Sequence, residues 1–564
     1  MTDILAALFR KAGVHEIGIV CYLLQGRVAP LYEALEFGIA DKLMIRAVAQ
    51  AGGVGEHAVT AEFKKTGDLG ITAERILRHR TKQSARIARE RSIHSVFQAL
   101  MRVAQAGGGG SQELKISILS ELLRSVDPLS ARYIARIPLD KLRLGFSDMT
   151  ILDSLSVLLA RDKSLRRRLE GAYNVYPDIG YIARAVREHG IKGLSQIRAN
   201  VGVPILPALC QRLPTADEMI DKMGTVAVEP KFDGVRVQIH FEKEKGKRKK
   251  GNVRSFSRNL ENTTAMFPEL MEIGKQLDAT EAILDSEAIG IDPKTGEFIP
   301  FQETMTRKRK YEIARLRVSV PLKFYVFDVL YLNGKDVFNH PLSSRRKLLE
   351  DIVRPGNILA LTPQKVTDDA DILRAYHKEQ LQRGLEGVVV KKWESPYEPG
   401  RRGFSWVKFK EEEGKTGKLT DTIDAVVMGY YPGEGKRAGF GIGAFLVGVR
   451  QGNTFVTVTK VGTGVTDEHW IELKKELNTL KVTVKPKEYG EVEKALRPDA
   501  WVVPKLVVEI AGDDITKSPN HGAGYAMRFP RLVRIRNDKS PAQATTITEI
   551  RRMYNAQTGI HNRR

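Results

Sequence analysis

The stretch EPKFDGVR, residues 229–236, decides how this chain is interpreted. An apolar run ends at Lys231, and Asp233-Gly234 is a typical turn between two paired strands. In the following run VRVQIHF, residues 235–241, apolar and polar residues alternate as they do in a strand with one buried face. Lys231 is therefore predicted to lie at the mouth of a sheet, with Arg236 on the polar face of the next strand.

The hydrophobic spacing changes along the chain, whose 564 residues are too many for one ordinary core. Before about residue 200, apolar side chains recur every three and four positions, as in 116–123, which predicts helices. Four glycines, 107–110, predict a break between two of these helices. Residues 203–213, VPILPALCQRL, contain two prolines and are predicted to form a connector.

Beyond the connector, the pattern indicates alternating strands and helices to about residue 412. The polar, glycine-containing stretch 411–420 is interpreted as a hinge; short strands with glycine-rich turns follow it, interrupted by a helix over roughly 466–479. Many short strands in one small domain favour a barrel of the OB type. The chain is thus predicted to be multidomain, with an all-α domain over 1–205, an α+β domain over 206–415, and an OB-fold β-barrel with a basic C-terminal tail over 416–564.

Composition excludes several classes of protein. Hydrophobic residues make up 42% of the chain and charged residues 28%, which is typical of folded soluble domains and argues against a disordered or membrane protein. The N-terminal stretch mixes charged and apolar residues, which predicts an amphipathic helix and not a signal peptide. Two cysteines, Cys21 and Cys210, exclude a disulfide framework and a cysteine-rich zinc site. We expect a cytoplasmic protein with no membrane partner.

The charge balance favours a polyanionic partner. Lysine and arginine outnumber aspartate and glutamate by 90 to 68, which gives a formal net charge of +22. Basic side chains that neutralise phosphates release condensed counterions, so such a chain binds nucleic acid readily. Ribosomal, membrane-surface and heparin-binding proteins share this charge, so the balance alone does not identify the partner.

A lysine before an Asp-Gly turn is usually a solvated turn residue, but Lys231 is followed by an ordered series of further segments. Each segment alone has an ordinary explanation, such as a buried strand with a polar end or an aromatic residue in the core. Their order along the chain makes chance a poor explanation. The segments are SFSRNLEN with Arg258, ILDSEAIG with Glu287, FYVFDVLYLNG with Phe327, EGVVVKK with Glu386, WVKFK with Lys408 and Lys410, and FPRLVRIRNDKSPAQATT (529–546) with Arg531.

This series resembles the motifs of the covalent nucleotidyltransferases, which are DNA ligases, RNA ligases and mRNA-capping enzymes. The resemblance implies that Lys231 attacks the α-phosphate of ATP and expels pyrophosphate. The AMP then moves to the 5′-phosphate at a nick, and the 3′-hydroxyl finally displaces AMP. The attacking amine must be neutral although its ordinary pKa is about 10.4, so nearby cations, a metal and desolvation are expected to favour the free base.

The resemblance also implies a role for each motif residue. Cations are needed where negative charge develops on phosphates, and hard carboxylate oxygens suit magnesium; the alternative for those carboxylates is a salt-bridged strand end. The expected set is Lys231 as nucleophile; Arg236, Arg258, Lys408 and Lys410 at the nucleotide phosphates; Glu287 and Glu386 as ligands of Mg²⁺, for which Mn²⁺ is expected to substitute; Phe327 stacked on adenine; Glu229 accepting from its amino group; and Arg531, Arg534 and Lys539 near the pyrophosphate during the first step only.

The N-terminal third discriminates among members of the superfamily. Residues 22–33, 133–155 and 172–183 resemble segments of the DNA-binding domain of archaeal and eukaryotic replicative ligases. Lys141 and Arg143 are expected to contact phosphates, which position a duplex without reading its sequence. NAD-dependent ligases are disfavoured because they carry a cysteine zinc site. We therefore expect a prokaryotic, nucleoid-associated, monomeric ATP-dependent DNA ligase that acts on nicked double-stranded DNA in replication, repair or recombination.

Several alternatives stay open on the sequence alone. RNA ligase or capping activity is one, and a non-catalytic nick-binding protein is another. The nucleotide could be ATP, dATP or ADP. No sliding-clamp docking motif is found, so a clamp partner is only a family-level expectation. The basic loop 243–250 is interpreted as a solvated loop tip, with a DNA-backbone contact as the alternative.

Overall fold

The computed structural model describes residues 1–83, 91–140, 147–244, 251–299, 320–409, 422–433 and 440–559, together with residues 142, 144 and 304. The chain divides into two compact units, Met1–Phe409 and Lys410–Arg564. Within the described residues, no helix has both the length and the apolar character needed to cross a membrane.

The first part of the larger unit is helical, as the spacing of its apolar residues predicts. The glycine run 107–110 separates two helices, because α6 ends at Gln105 and α7 begins at Ser111. The helices are α1 (Thr2–Lys11), α2 (Val14–Leu24), α3 (Asp41–Gly52), α4 (Glu56–Thr66), α5 (Leu69–Gln83), α6 (Ile93–Gln105), α7 (Ser111–Arg124), α8 (Pro128–Arg136), α9 (Asp148–Ala160), α10 (Arg166–Val175), α11 (Ile179–His189) and α12 (Ile191–Leu194).

Two apolar cores hold these helices together. One is formed mainly by α3, α5, α6, α7 and α8, with Met44 and Leu119 fully buried in it. The other joins α1, α2, α9 and α11 around Phe9 and Leu155. Each fully buried side chain of this size contributes about 1.5–3 kcal/mol of transfer free energy, so the helical part has cores of its own.

The second part of the larger unit contains two sheets with helices packed beside them. Its elements are β1 (Leu209–Arg212), α13 (Ala216–Met223), β2 (Val226–Pro230), β3 (Val235–Lys243), β4 (Gly251–Ser257), β5 (Glu281–Gly290), β6 (Leu322–Leu332), β7 (Lys335–Asp336), α14 (Leu342–Ile352), β8 (Leu359–Leu361), β9 (Lys365–Thr367), α15 (Ala370–Gln382), β10 (Val388–Lys392) and β11 (Arg402–Phe409). Among the described strands, one sheet has the order β1-β11-β10-β2-β9; the other has the order β4-β3-β5-β6-β7, with β8 parallel to β6.

The first of these sheets has one apolar and one polar face. Val228, Val390 and Val407 lie on the face that packs against α13 and α15. Because side chains alternate along a strand, the intervening residues point away from these helices. Val389 pairs with Glu229 on one side and with Lys408 on the other. Both charged side chains therefore share the face that the helices leave open.

The connector predicted over 203–213 lies along the polar face of β3. Gln238 accepts from the Ile205 backbone N at 2.7 Å and donates to the Ile205 carbonyl oxygen at 3.0 Å. His240 Nδ1 accepts from the Gly202 backbone N at 3.0 Å, and Arg236 donates to the Ala208 carbonyl oxygen at 2.8 Å. The alternating polar residues of β3 thus bind the connector backbone.

The described part of the smaller unit consists of sheets and two α-helices. Its elements are β12 (Ile423–Tyr431), β13 (Ala444–Gln451), β14 (Thr454–Val461), α16 (Asp467–Thr479), β15 (Lys481–Val482), β16 (Ala500–Val502), β17 (Val507–Ala511), β18 (Asp514–Lys517), β19 (Tyr525–Arg528), β20 (Arg531–Ile535) and α17 (Ile547–Gly559). The helix predicted over 466–479 is present as α16. The described strands form a sheet β14-β13-β12-β16-β15, extended by β17 and β20, and a separate β18-β19 hairpin. No described sheet closes on itself, so the OB barrel stays a prediction.

A buried ion pair fastens α14 to β6. Arg345 Nε donates to Asp328 Oδ1 at 2.7 Å and Nη2 donates to Oδ2 at 3.0 Å, and both side chains are 0% exposed. Arg345 also donates to the carbonyl oxygens of His340 and Ser395. Since Asp328 follows Phe327 in β6, this pair holds the strand that carries the predicted stacking residue.

Replacing Arg345 with methionine is expected to destabilise the larger unit by about 3–5 kcal/mol, because it leaves the Asp328 carboxylate buried without its partner. The matched control is Arg374→Met. Arg374 forms ion pairs with Asp217 and Asp371 on the surface, where such pairs contribute about 0–1 kcal/mol. Urea unfolding measures both losses, and equal losses would contradict the role given to burial.

The connector makes stability depend on pH through His240. Burial lowers the pKa of His240 to about 3, and the charge of Arg254 acts in the same direction. The unfolded chain takes up a proton near the ordinary histidine pKa of about 6.5, whereas the folded chain does not. The stability contributed by neutral His240 is therefore complete above pH 6.5 and is lost as the pH falls toward 3.

The larger unit is expected to lose stability as the pH falls from 6.5 to 4.5. His240→Asn is expected to make this loss about 2 kcal/mol smaller. Asparagine keeps an acceptor for the Gly202 backbone N but does not titrate. The measurement is the slope of the unfolding free energy against pH, with the exposed His57→Asn as control. An unchanged slope in His240→Asn would show that another group carries this pH dependence.

Candidate active site

Lys231 lies at the end of β2, where the start of β10 approaches it. Its backbone N donates to the Gly387 carbonyl oxygen at 2.9 Å, and its Nζ forms an ion pair with Glu386. Its side chain is 24% exposed, so the amine is sheltered but reachable. Gly387 has φ +126°, and a Cβ there would overlap the Phe409 carbonyl oxygen, so this close approach requires glycine. The structure thus brings the predicted nucleophile and one predicted metal ligand together.

Glu287 is the second predicted metal ligand, and it lies close to the turn that follows Lys231. It pairs with Arg236 in the register between β3 and β5. A Cβ on Gly234 would lie 2.9 Å from Glu287 Cγ and 2.6 Å from the Ala288 carbonyl oxygen. Burial raises the pKa of Glu287 to about 7, against the opposing charges of Arg236 and Lys231. A nearby cation would stabilise its charged form.

These two glutamates suit a magnesium ion that also binds phosphate. Within the described ranges, no group of three or more His, Cys, Asp or Glu side chains is placed to hold a metal by itself. Magnesium commonly takes one or two carboxylates and completes its shell with phosphate oxygens and water. Glu287 and Glu386 therefore fit a metal that arrives with the nucleotide.

Arg236 is held in a buried polar network. Its Nε and Nη2 donate to Asp285 Oδ1 and Oδ2 at 3.0 and 2.6 Å, and Nη2 also donates to the Tyr397 hydroxyl at 3.1 Å. Burial alone would lower the pKa of Arg236, but Asp285 and Tyr397 raise it above its ordinary value. The guanidinium carbon lies 5.4 Å from the centre of the Phe327 ring. The arginine is thus fixed beneath the predicted stacking residue.

Glu229 lies on the same sheet face as Lys408 and has two partners. Lys391 Nζ is 2.7 Å from Glu229 Oε2, and Gln364 Nε2 donates to Oε1 at 2.9 Å. Burial raises the pKa of Glu229, while Lys391 and Gln364 oppose that shift. Lys391 Nζ is also 4.5 Å from the centre of the Phe327 ring. The predicted adenine-binding pair, Glu229 and Phe327, is therefore joined through Lys391.

The other residues predicted to contact the nucleotide or the DNA, apart from those of 529–546, lie on β11, in the turn after β4 or outside the described residues. Lys408 is half-buried on β11 and paired in register with Val389. Arg258 is exposed in the turn after β4, and it lines a cleft beside the connector together with Arg236 and Asp285. Lys410, Lys141, Arg143 and residues 245–250 of the basic loop lie outside the described residues.

The basic residues of 529–546 belong to the smaller unit, where each is paired with a carboxylate of that unit. Arg531 Nη1 lies 2.6 Å from Asp513, Arg534 Nε lies 2.7 Å from Glu509, and Lys539 Nζ lies 2.5 Å from Asp424. These ion pairs are contacts that the predicted pyrophosphate-binding residues make within their own unit.

Four site residues were not singled out from the sequence. Two of them had a readable signal: Lys391 lies two positions after Val389, on the polar face of β10, and Asp285 lies two positions before Glu287. Alternation along a strand would have placed both beside the predicted site. Tyr397 and Gln364 gave no such signal, because they reach the site from loops.

Three family descriptions match the chain in order. "DNA ligase N terminus" matches residues 1–156, "ATP dependent DNA ligase domain" matches residues 207–410, and "ATP dependent DNA ligase C terminal region" matches residues 438–539.

Relatives of similar length match nearly the whole chain. A probable DNA ligase from Dictyoglomus turgidum is 42% identical over 568 residues, covering 99% of this chain and 94% of its own. A DNA ligase 2 from Thermofilum pendens is 41% identical, with 99% and 94% covered. A DNA ligase from Pyrobaculum islandicum is 40% identical, with 99% and 96% covered.

Solved structures are more distant. Mycobacterial DNA ligase D complexed with ATP and MES is 25% identical and covers 60% of this chain and 97% of its own, with a TM-score of 0.31. The structure titled Pmar-Lig_PreS3 is 17% identical and covers 83% and 96%, with a TM-score of 0.48. The family assignment therefore depends on the relatives that match the chain in amino-acid sequence.

Gly387→Ala is expected to slow covalent labelling of the chain by α-labelled ATP roughly a hundredfold, because displacing a reacting group by about 1 Å can cost that much. The added Cβ would overlap the Phe409 carbonyl oxygen and displace Gly387, whose own carbonyl oxygen accepts from the Lys231 backbone N. Gly224→Ala is the control, since Gly224 also has a positive φ, +68°, but open space around it. Labelling rates that fall equally in both variants would mean that backbone strain, and not the approach to Lys231, is responsible.

Proposed function

The chain belongs to the family of ATP-dependent DNA ligases, and on that basis we propose that Lys231 becomes adenylylated by ATP during the sealing of nicks in duplex DNA. The observation that carries the assignment is the position of Lys231. It directly follows β2 and lies beside Glu386 and Gly387, and its Nζ is ion-paired with Glu386. A lysine at the open end of a polar sheet face, beside a carboxylate that could hold a metal at the reacting phosphate, suits nucleophilic attack on that phosphate.

In the first step, the Lys231 Nζ lone pair forms a bond to the α-phosphorus of ATP. The bond from that phosphorus to the bridging oxygen breaks, and pyrophosphate leaves. The ion pair with Glu386 must open before attack, because the nitrogen needs its lone pair free, and the proton that it gives up passes to solvent. Glu287 and Glu386 would hold Mg²⁺, for which Mn²⁺ is expected to substitute, and the bound ion would supply positive charge at the reacting phosphates.

The second and third steps use the same cations. Protonation of the phosphoramide nitrogen makes Lys231 a leaving group, so AMP passes to the 5′-phosphate of the nick. The 3′-hydroxyl then attacks that phosphate and AMP departs. Lys408, Lys410 and Arg258 are the proposed phosphate contacts, because fixed cations stabilise charge that develops on phosphoryl oxygens.

The adenine site is proposed between Phe327 and Glu229. The half-buried Phe327 ring is the proposed stacking partner of the base, and Glu229 lies on the same polar sheet face as Lys408. Lys391 contacts both residues, so the stacking residue and the base-edge carboxylate are held at a fixed separation. Arg236 supports the ring from its network with Asp285 and Tyr397.

We propose that the helical domain, 1–205, binds the duplex, with Lys141 and Arg143 among its phosphate contacts. The adenylation domain spans 206–415, and 416–564 is proposed to be an OB-type domain whose Arg531, Arg534 and Lys539 bind pyrophosphate in the first step. The enzyme is proposed to act as a monomer, in the prokaryotic cytoplasm at the nucleoid. Replication, repair and recombination are the processes that supply its nicked substrate, and a clamp partner stays a family-level expectation.

The test is labelling of the chain by α-labelled ATP with Mg²⁺, followed by denaturation and then by sealing of a nicked duplex. Lys231→Ala is expected to reduce the label to background, because no other side chain is proposed to form the phosphoramide bond. Lys392→Ala, at an exposed lysine of β10, is expected to keep the label.

Each outcome separates the proposal from its alternatives. Label that survives in Lys231→Ala would overturn the assignment of the nucleophile. Label without sealing of nicked DNA, but with joining of nicked RNA or transfer to an RNA 5′ end, would indicate an RNA ligase or a capping enzyme. An unlabelled parent chain that binds nicks would indicate a non-catalytic nick binder.

A further inference from the structure

Gln364 lies beside Glu229 at the edge of the polar sheet face. β9 pairs with β2 so that Lys365 is opposite Val228, and the preceding residue, Gln364, is therefore level with Glu229. Its amide nitrogen donates to Glu229 Oε1 at 2.9 Å. Gln364, which belongs to none of the sequence motifs, thus contacts the Glu229 carboxylate that is proposed to recognise adenine.

Glu229 itself is poorly accessible to a base. It is 3% exposed, and its other oxygen is occupied by Lys391 at 2.7 Å. Gln364 is only partly buried. Among these three side chains, Gln364 is the one that a ligand in the cleft can reach most easily.

Glu229 also fixes the orientation of the Gln364 amide. An ionised carboxylate only accepts hydrogen bonds; burial raises the pKa of Glu229, but Lys391 Nζ, 2.7 Å from Oε2, opposes that shift and favours the ionised form. The amide must therefore direct its nitrogen to Glu229 and its oxygen away from it. Elsewhere a glutamine amide can turn over to suit either a donor or an acceptor; here the turned-over amide would place two acceptor oxygens against each other.

We propose that Gln364 is a specificity-determining residue for the nucleotide base, held by Glu229 in the orientation that selects adenine. This inference rests on the proposed function. Adenine presents an amino donor beside a ring-nitrogen acceptor, which complements the free oxygen and second N–H of the amide. Guanine and hypoxanthine present an oxygen acceptor beside an N–H donor. The fixed amide mismatches both of these groups, so it disfavours GTP and ITP.

The test compares the rates of chain labelling by ATP, ITP and purine riboside triphosphate, which lacks the amino group. Gln364→Leu is expected to lower the ATP-to-ITP ratio of kcat/KM roughly ten- to hundredfold, the discrimination that one paired amide contact supplies. The change is expected mainly in the KM for ATP, because Gln364 contacts the base and not the reacting phosphorus. The parent should prefer ATP to purine riboside triphosphate, and Gln364→Leu should not.

The control is Gln382→Leu, at an exposed glutamine at the end of α15, which should keep the parent ratio. Glu229→Gln should also lower the ratio, because an amide at 229 can donate to the Gln364 oxygen and so allow the turned-over orientation. If the melting temperature shows that Gln364→Leu does not fold, Gln364→Asn tests the same contact, since the shorter side chain withdraws the amide from the base.

A folded Gln364 variant with an ATP-to-ITP ratio within twofold of the parent's would overturn the inference, and it would leave base selection to Glu229 or to the backbone. Failure of the proposed function would be visible separately, because the parent chain would then acquire no label from any of the three nucleotides.

Discussion

The antiparallel pairing of β2 with β10 is the constraint on which the rest of the site depends. It sets Val388 opposite Pro230 and Val389 opposite Glu229, and it continues past the strand end as the hydrogen bond from the Lys231 backbone to Gly387. A shift of one residue would turn every side chain of a strand to the opposite face. The same register therefore keeps the valines on α13 and α15 and the charged groups in the cleft.

Burial of charge then determines how firmly these groups are held. Glu229–Lys391, Arg236–Asp285 and Asp328–Arg345 are each close pairs with one or both members almost fully buried. Taking such ions out of water is costly unless each has its partner and its remaining hydrogen bonds. The partners are therefore not interchangeable. Glu229–Lys391 fixes the polar face of β2, Arg236–Asp285 fixes the connector, and Asp328–Arg345 fixes the strand that carries Phe327.

Much of this arrangement could be predicted from the sequence, because strand alternation is a local property. The end of β2 just before Lys231, the polar face of β3 and the helix α16 follow from residue spacing, and the meeting of Lys231 with Glu386 follows from the ordered motifs. The contact between Gln364 and Glu229 could not be predicted, since it depends on how β9 is aligned with β2. The contact of the connector with Gln238 and His240 likewise depends on tertiary packing. Residue spacing alone would assign the polar face of β3 to solvent.

The pairs around Arg531, Arg534 and Lys539 differ from those of the cleft. The Arg534 side chain is 62% exposed and the Arg531 side chain is 35% exposed, so water screens both cations, and each of these two pairs contributes only about 0–1 kcal/mol. A polyphosphate carries more charge than the single carboxylate that it would replace, and charge-assisted bonds to phosphate are among the strong ones. The smaller unit therefore keeps its cations oriented at little energetic cost, and the proposed exchange of a carboxylate for pyrophosphate would require no buried pair to open.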